Sequence, residues 1–259
     1  MGIRMLNENS LIVVSGGNGL IGSAIVKAIR KQGAKAVVLD IATPNPISDD
    51  EFYVQLPNKF SENELIESVK LIYEKYGKVS GLINCIATRT QSADDFFTTF
   101  EDYKEEIWNE VIYGNLTQSF LITRAFAMRM KESRTGSIVN FGSIYGADFG
   151  PDLRIYSEVT DSPMNTPIPY SVSKGGVVAL TKYLATSLAS YGIRVNSISP
   201  GGVLNNQPVE FIAAYSNRVP MGRLAIAEEI VGLPIFLVSD QASYITGQNI
   251  YIDGGLSAW

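Results

Sequence analysis

Leu11-Ile-Val-Val-Ser-Gly-Gly-Asn-Gly-Leu-Ile-Gly22 is an apolar run that breaks into glycines and resumes as an amphipathic segment. Four consecutive apolar residues ended by glycine are the mark of a strand buried on both faces. The glycines let the chain turn tightly, and the N-terminus of a helix opening at about residue 20 is a natural seat for an anion. The next apolar run ends in Asp40, 18 residues beyond Gly22. A glycine turn after one strand and an acid after the next are the two fixed points of dinucleotide binding. Ser15, Gly16, Asn18, Gly19, Leu20, Ile21 and Gly22 are therefore candidate contacts to a pyrophosphate, and Asp40 to the adenosine ribose. A carboxylate there accepts from ribose hydroxyls and repels a 2′-phosphate, which favours NAD over NADP.

Outward from this stretch, short apolar runs alternate with longer amphipathic ones. LIVVS (11 to 15), AVVLD (36 to 40), GLINC (81 to 85), SIVNF (137 to 141), RVNSI (194 to 198) and NIYI (249 to 252) read as strands, with FYVQL (52 to 56) a weaker seventh. Helix-like segments lie at about 20 to 32, 61 to 76, 103 to 133, 170 to 191 and 225 to 238. Parallel neighbours need crossovers, so this order predicts a single α/β domain over 1 to 259, a Rossmann-type, doubly wound, parallel seven-stranded sheet with helices on both faces. Two stretches break the rhythm, 86 to 102 and 144 to 169, the second holding Pro151, Pro163, Pro167 and Pro169. Both follow strands, so both belong at the carboxyl edge, where ligands sit in such sheets.

Composition removes several alternatives. The 259 residues carry 46% hydrophobic and 18% charged side chains, a globular balance, and a net charge of -5 that argues against a nucleic-acid partner. No apolar run is long enough to span a bilayer, and MGIRMLNENS lacks a signal peptide's apolar core, so no membrane association and a cytoplasmic location are expected. One cysteine, Cys85, and no histidine leave no metal site and no Ser-His-Asp chemistry. Proton transfer must then fall to Tyr, Lys, Asp or Glu.

Tyr170-Ser-Val-Ser-Lys174 offers such a group, because residues four apart share a helix face. A cation at ~5 Å in an effective dielectric of ~20 favours a phenolate by about 3 kcal/mol. Together with the glycine loop, Asn140-Phe-Gly-Ser143, Asn115, RVNSISPGG (194 to 202) and ITGQNIYIDGG (245 to 255), this segment resembles the classical short-chain dehydrogenase/reductase family from Leu11 to Gly255. The resemblance implies a catalytic tetrad. Tyr170 would be general acid and base, Lys174 would assist it and hold the nicotinamide ribose, Ser143 would bond the substrate oxygen, and Asn115 would support a water relay. It also places Asn84, Pro200, Gly201 and the backbone of Val203 on the cofactor, which would be NAD.

Some features depart from the family pattern. Asn84-Cys-Ile-Ala87 stands for Asn-Asn-Ala-Gly, Gln55 lies near the usual acidic adenine contact, and Asn205 and Asn206 stand where a threonine is usual. The glycines at 16, 19 and 22 have the spacing of the family's extended branch, but four residues after Gly255 leave no room for that branch's second domain. Between Ser143 and Tyr170 lie 26 residues, an unusually long insert expected to wall the substrate pocket with polar groups: Asp148, Asp152, Arg154, Tyr156, Glu158, Asp161 and Asn165. Tyr145, Arg154 and Arg89 are candidate substrate contacts, the two arginines for a phosphate or carboxylate.

The insert, with GSIYG (142 to 146) and PGGVLNNQP (200 to 208), also resembles bacterial members of surface-polysaccharide and flagellin-glycan pathways. The expected reaction is therefore interconversion of a secondary alcohol and a ketone on a small, carbohydrate-like substrate. The alternatives are another carbonyl class, such as 3-oxoacyl groups, or a non-catalytic NAD-binding sensor or scaffold. The resemblance further implies a homotetramer or dimer.

Overall fold

A computed structural model of the chain describes residues 5 to 42, 52 to 88, 93 to 157 and 166 to 259. Seven strands, β1 (Leu11–Ser15), β2 (Lys35–Asp40), β3 (Tyr53–Gln55), β4 (Gly81–Asn84), β5 (Gly136–Phe141), β6 (Ile193–Pro200) and β7 (Asn249–Ile252), form one sheet. Their order is β3-β2-β1-β4-β5-β6-β7 and every pair is parallel. The chain winds outward from β1 to β3, then crosses back to β4, which opens a crevice beyond the carboxyl ends of β1 and β4. This is the doubly wound sheet that the alternating pattern predicts.

Strand residues alternate between two cores. Leu11, Val13, Val37, Leu39, Leu82, Ile138 and Val195 face one side, packed with Phe126, Met130 and Leu188 from the covering helices. Ile12, Val14, Val38, Ile83, Val139 and Ile198 face the other, against Ile25, Ile29 and Leu237. Burial on both faces is why each strand reads as a continuous apolar run. Full burial of each such side chain is worth about 1.5–3 kcal/mol, which is how the helices are held to the sheet. Helix Glu62–Tyr76 illustrates the local logic: Ser61 and Glu64 close a capping box, and Leu65, Val69 and Ile72 line the buried stripe.

The single helix expected over 103 to 133 is three pieces. Helix Glu105–Ile112 runs into a π-helical turn, Tyr113–Thr117, and continues as helix Gln118–Ser133. The π turn contains Asn115, and such turns recur at functional sites. The insert is irregular as its prolines imply, with short turns at Ile144–Ala147 and Arg154–Ser157. A helix at Val209–Ser216, not anticipated from periodicity, packs against the insert through Ile144, Ile155, Ala214, Tyr215, Val219 and Leu224. No helix among the described residues is long and apolar enough to cross a membrane.

Candidate active site

A cavity of 860 Å³ runs along the carboxyl edge from Asp40 and Ala42, past the glycine loop, to Ser143, Tyr170 and Val203. Gly16 turns at φ +70, and a Cβ there would press on the Cys85 carbonyl at 3.0 Å. A Cβ on Gly22 would run into the Gly16 carbonyl, so the first helical turn can close on the loop only with glycine there. Helix Leu20–Lys31 has no side-chain cap at its N-terminus, leaving its first N–H groups to face a ligand. Asp40 takes Asn18 N–H on Oδ2 at 2.9 Å and Ala42 N–H on Oδ1 at 3.0 Å, which fixes the carboxylate beside the loop. The cradle, the free helix terminus and the fixed acid fit a dinucleotide.

Gly16, Asn18, Gly19, Leu20, Ile21, Gly22, Asp40, Pro200, Gly201 and Val203 all line this cavity. Ser15 and Asn84 do not line it, and their side chains bond one another and the sheet. Ser15 Oγ donates to Asn84 Oδ1 at 2.7 Å, and Asn84 Nδ2 donates to Thr123 Oγ1 and Asn140 Oδ1, both at 2.8 Å. Both residues are buried in the sheet below the crevice. Gln55 likewise stays outside the cavity, its amide 3.4 Å from the Ile41 carbonyl, and Leu56 and Phe60 make that end apolar. Gln207 donates to the Val203 carbonyl at 2.8 Å and accepts from Asn205 N–H at 2.6 Å, bracing the turn after β6.

Ser143, Tyr170 and Lys174 meet in the deeper part of the cavity. Lys174 is buried, donating from Nζ to the carbonyls of Ile86 at 3.0 Å and Phe141 at 2.8 Å. Its ammonium lies 5.9 Å from the Tyr170 ring centre. Desolvation pulls the Lys174 pKa from 10.5 down to about 8, the nearby Cys85 opposing. Burial pushes the Cys85 thiol up, so it is a neutral neighbour rather than a nucleophile. Ser143 follows β5 in extended backbone, and its Oγ accepts from Tyr145 N–H at 3.2 Å, leaving the hydroxyl proton to donate.

Asn115 does not line the cavity. Its Oδ1 accepts from Thr88 N–H at 2.6 Å, its Nδ2 donates to Ser173 Oγ at 3.1 Å, and Ser173 Oγ donates to the Tyr170 carbonyl at 2.8 Å. Asn115 therefore ties the π turn to the backbone that carries Tyr170, and holds position rather than touching a ligand.

The substrate side differs most from expectation. Tyr145 lines the cavity. Arg154 does not: it pairs with Asp152 at 2.8 and 2.9 Å, in solvent. Arg89 lies outside the described residues, as do Glu158, Asp161 and Asn165. Asp148 accepts from the Tyr251 hydroxyl and Asp152 pairs with Arg218 at 2.8 Å, so the insert's described acids bind protein, not the cavity. The wall is aromatic instead: Tyr156, Phe211 and Tyr215 stand with Tyr145 around Tyr170. Of these, Phe211 and Tyr215 were not foreseen, because the helix that carries them was not; Phe and Tyr spaced four apart after Pro208 were the available signal.

A glycine cradle, an acid after the second strand and a tyrosine–lysine pair on one crevice define a dinucleotide-dependent oxidoreductase. A family model described as Enoyl-(Acyl carrier protein) reductase matches residues 18–257. The chain is 33% identical to a 3-oxoacyl-(acyl-carrier-protein) reductase of Thermotoga maritima, covering 96% of this chain and 98% of that one. It is also 33% identical to a probable galactose dehydrogenase of Rhizobium meliloti, covering 97% and 96%. A crystal structure of a short-chain dehydrogenase from Leptospira borgpetersenii with bound NAD+ is 37% identical, with TM-score 0.84 over 96% of this chain and 92% of that one. The chain belongs to the classical short-chain dehydrogenase/reductase family.

Proposed function

We propose that this oxidoreductase uses NAD(H) to interconvert a secondary alcohol and a ketone on a carbohydrate-like substrate, with Tyr170 as the proton carrier. The observation that carries the reading is that Ser143, Tyr170 and Lys174 open into the same cavity as the glycine loop and Asp40. The nicotinamide, when bound, supplies the site that takes or gives the hydride with its electron pair. In oxidation Tyr170 takes the hydroxyl proton as the carbinol C–H bond breaks and the C=O bond forms; in reduction it returns that proton. Ser143 donates to the substrate oxygen and holds it beside Tyr170. Lys174 favours the phenolate and stands where a ribose would meet it. Asn115, buried beside this helix and accepting on its carbonyl from Ser119 Oγ at 2.6 Å, would support a water leading from Lys174.

The test is NADH formation from NAD and a pool of sugars, sugar phosphates and nucleotide sugars, with Tyr170→Phe as the blank. Loss of a general base costs about 10²–10⁴ in rate, and NADH binding should persist in the variant. Retained turnover overturns the role of Tyr170. The 3-oxoacyl reading is favoured by the family model and by the Thermotoga maritima relative, and saturation with acyl thioesters rather than sugars would establish it.

The single cysteine fits a reducing cytoplasm. Exposed Phe120, Met128, Val172 and Tyr183, on the helices Gln118–Ser133 and Ile168–Leu188, support pairing of subunits into a dimer or tetramer. A monomer in light scattering would refute that assembly.

A further inference from the structure

The part of the cavity above Tyr170 is bounded by Tyr145, Tyr156, Thr166, Gln207, Phe211 and Tyr215. Tyr156 and Phe211 have ring centres 5.8 Å apart, and Phe211 and Tyr215 repeat that spacing, so three rings form one continuous wall. The wall is fixed from behind by the cluster of Ile155, Ala214 and Tyr215 and by the Asp152–Arg218 pair at 2.8 Å.

Two phenols on this wall are set to donate. Tyr215 oxygen accepts from Gly202 N–H at 2.7 Å, and Tyr156 oxygen accepts from Thr166 Oγ1 at 3.0 Å. Each has its acceptor role met by the protein and keeps its own proton for a ligand. Burial raises both pKa values, which keeps those protons in place at neutral pH.

Charge is the other half of the pattern. Among the described lining residues only Asp40, at the far end, and Lys174, bonded to two carbonyls at the base, are charged. Arg154 and Arg218 are both engaged by Asp152 outside the cavity. An anionic substituent brought in here would lose its hydration with no cation among the described lining residues to replace it but Lys174, whose ammonium is already bonded to two carbonyls. A purely hydrocarbon ligand would leave the two phenol protons desolvated and unpaired, which is also unfavourable. A ring with apolar C–H faces and several hydroxyl or ether oxygens satisfies both constraints.

We propose that this chamber selects an uncharged, ring-shaped polyhydroxyl substrate, seated against Tyr156 and Phe211 with oxygens bonded by Tyr156 and Tyr215, and rejects phosphorylated, nucleotidyl and thioester-linked compounds. The proposal rests on the carbohydrate reading above and narrows it.

The experiment gives the NAD-loaded protein D-glucose, D-galactose, their 1-phosphates, a 3-hydroxyacyl pantetheine and a hydroxysteroid, each with Tyr170→Phe as blank. The expected kcat/KM for a free sugar exceeds that of its phosphate by about a hundredfold, the upper end of the penalty for one buried group left without a partner. Phe211→Leu and Tyr156→Phe should each raise KM for the sugar about tenfold with kcat little changed, the pattern of lost ground-state binding. In parallel, melting of the Tyr170→Phe protein with NADH is followed with each probe, and only the free sugars should raise it. Tyrosine-dependent turnover that prefers a phosphate, thioester or steroid overturns the proposal while leaving the redox chemistry standing. Absence of any tyrosine-dependent turnover defeats the functional reading, and the melting data then decide the chamber by themselves: stabilisation by charged probes or by none of the sugars overturns it.

Discussion

Lys174→Met isolates a buried cation in the active site. The Lys174 side chain is 3% exposed, and its pKa falls from an ordinary 10.5 to about 8, desolvation being the main cause. At about 1.4 kcal/mol per pKa unit, that depression means the charged lysine costs the fold about 3 kcal/mol. Below pH 8 the group is protonated in both folded and unfolded chains, and the whole cost is present. Between about 8 and 10.5 the folded chain has released its proton while the unfolded chain still holds one, so the unfolded state binds more protons and stability rises with pH. Above that window the cost is gone.

Methionine has no such slope. Near neutral pH the variant escapes the charge but strands the carbonyls of Ile86 and Phe141, a loss of about 1–3 kcal/mol each, so the two stabilities should lie within about 3 kcal/mol of each other. By about pH 10 the wild type should have gained about 2–3 kcal/mol on the variant. Urea unfolding of both proteins from neutral to alkaline pH measures this difference, and groups common to both cancel in it. A gap that stays constant to within about 0.5 kcal/mol would refute the assignment of Lys174 as a desolvated cation. The strain has a functional counterpart: across 5.9 Å, in an effective dielectric of ~20, the same charge favours a Tyr170 phenolate by about 3 kcal/mol.

Asn84→Ala removes the centre of the Ser15, Thr123 and Asn140 bonds and should cost about 2–4 kcal/mol in urea unfolding, with NADH affinity changed less than about threefold. A tenfold loss of NADH binding at unchanged stability would instead make Asn84 a direct cofactor contact. Asp40→Asn keeps a carbonyl acceptor for one of the Asn18 and Ala42 N–H groups but removes the charge. The ratio of kcat/KM for NAD over NADP should fall about tenfold, the scale of one charge interaction near a protein surface; an unchanged ratio would mean that other groups exclude the 2′-phosphate.

The strands were legible because burial on two faces leaves no room for polar residues, so LIVVS, GLINC and NIYI stand out and each coincides with an observed strand to within a residue. The glycine loop and Asp40 were legible because each follows the carboxyl end of a strand, Tyr170 and Lys174 because residues four apart share a helix face, and Ser143 only through the resemblance to the family. Residues one step back in those same strands, Ser15 and Asn84, bond other strands instead of lining the cavity, and the register explains why. Ser15 is opposite Asn84, Asn84 opposite Asn140, Asn140 opposite Ser197, and Ser197 opposite Asn249. One polar residue per strand thus forms a row across β1, β4, β5, β6 and β7, stitched by Ser15 to Asn84, Asn84 to Asn140 and Ser197 to Asn249 bonds of 2.7 to 2.9 Å. Thr123 and Thr181 join the row from the covering helices, at 2.8 and 2.9 Å. Taken singly, a polar residue at a strand end looks like a ligand contact. Taken in register, the row is a polar floor across five strands, lying at or within three residues of their carboxyl ends. Gly16 follows the row directly and Ser143 lies three residues beyond Asn140, whereas β6 and β7 run on, still paired, to Pro200 and Ile252. The register of the row, and not the identity of any single residue, separates the polar groups that bond strand to strand from those that face the crevice.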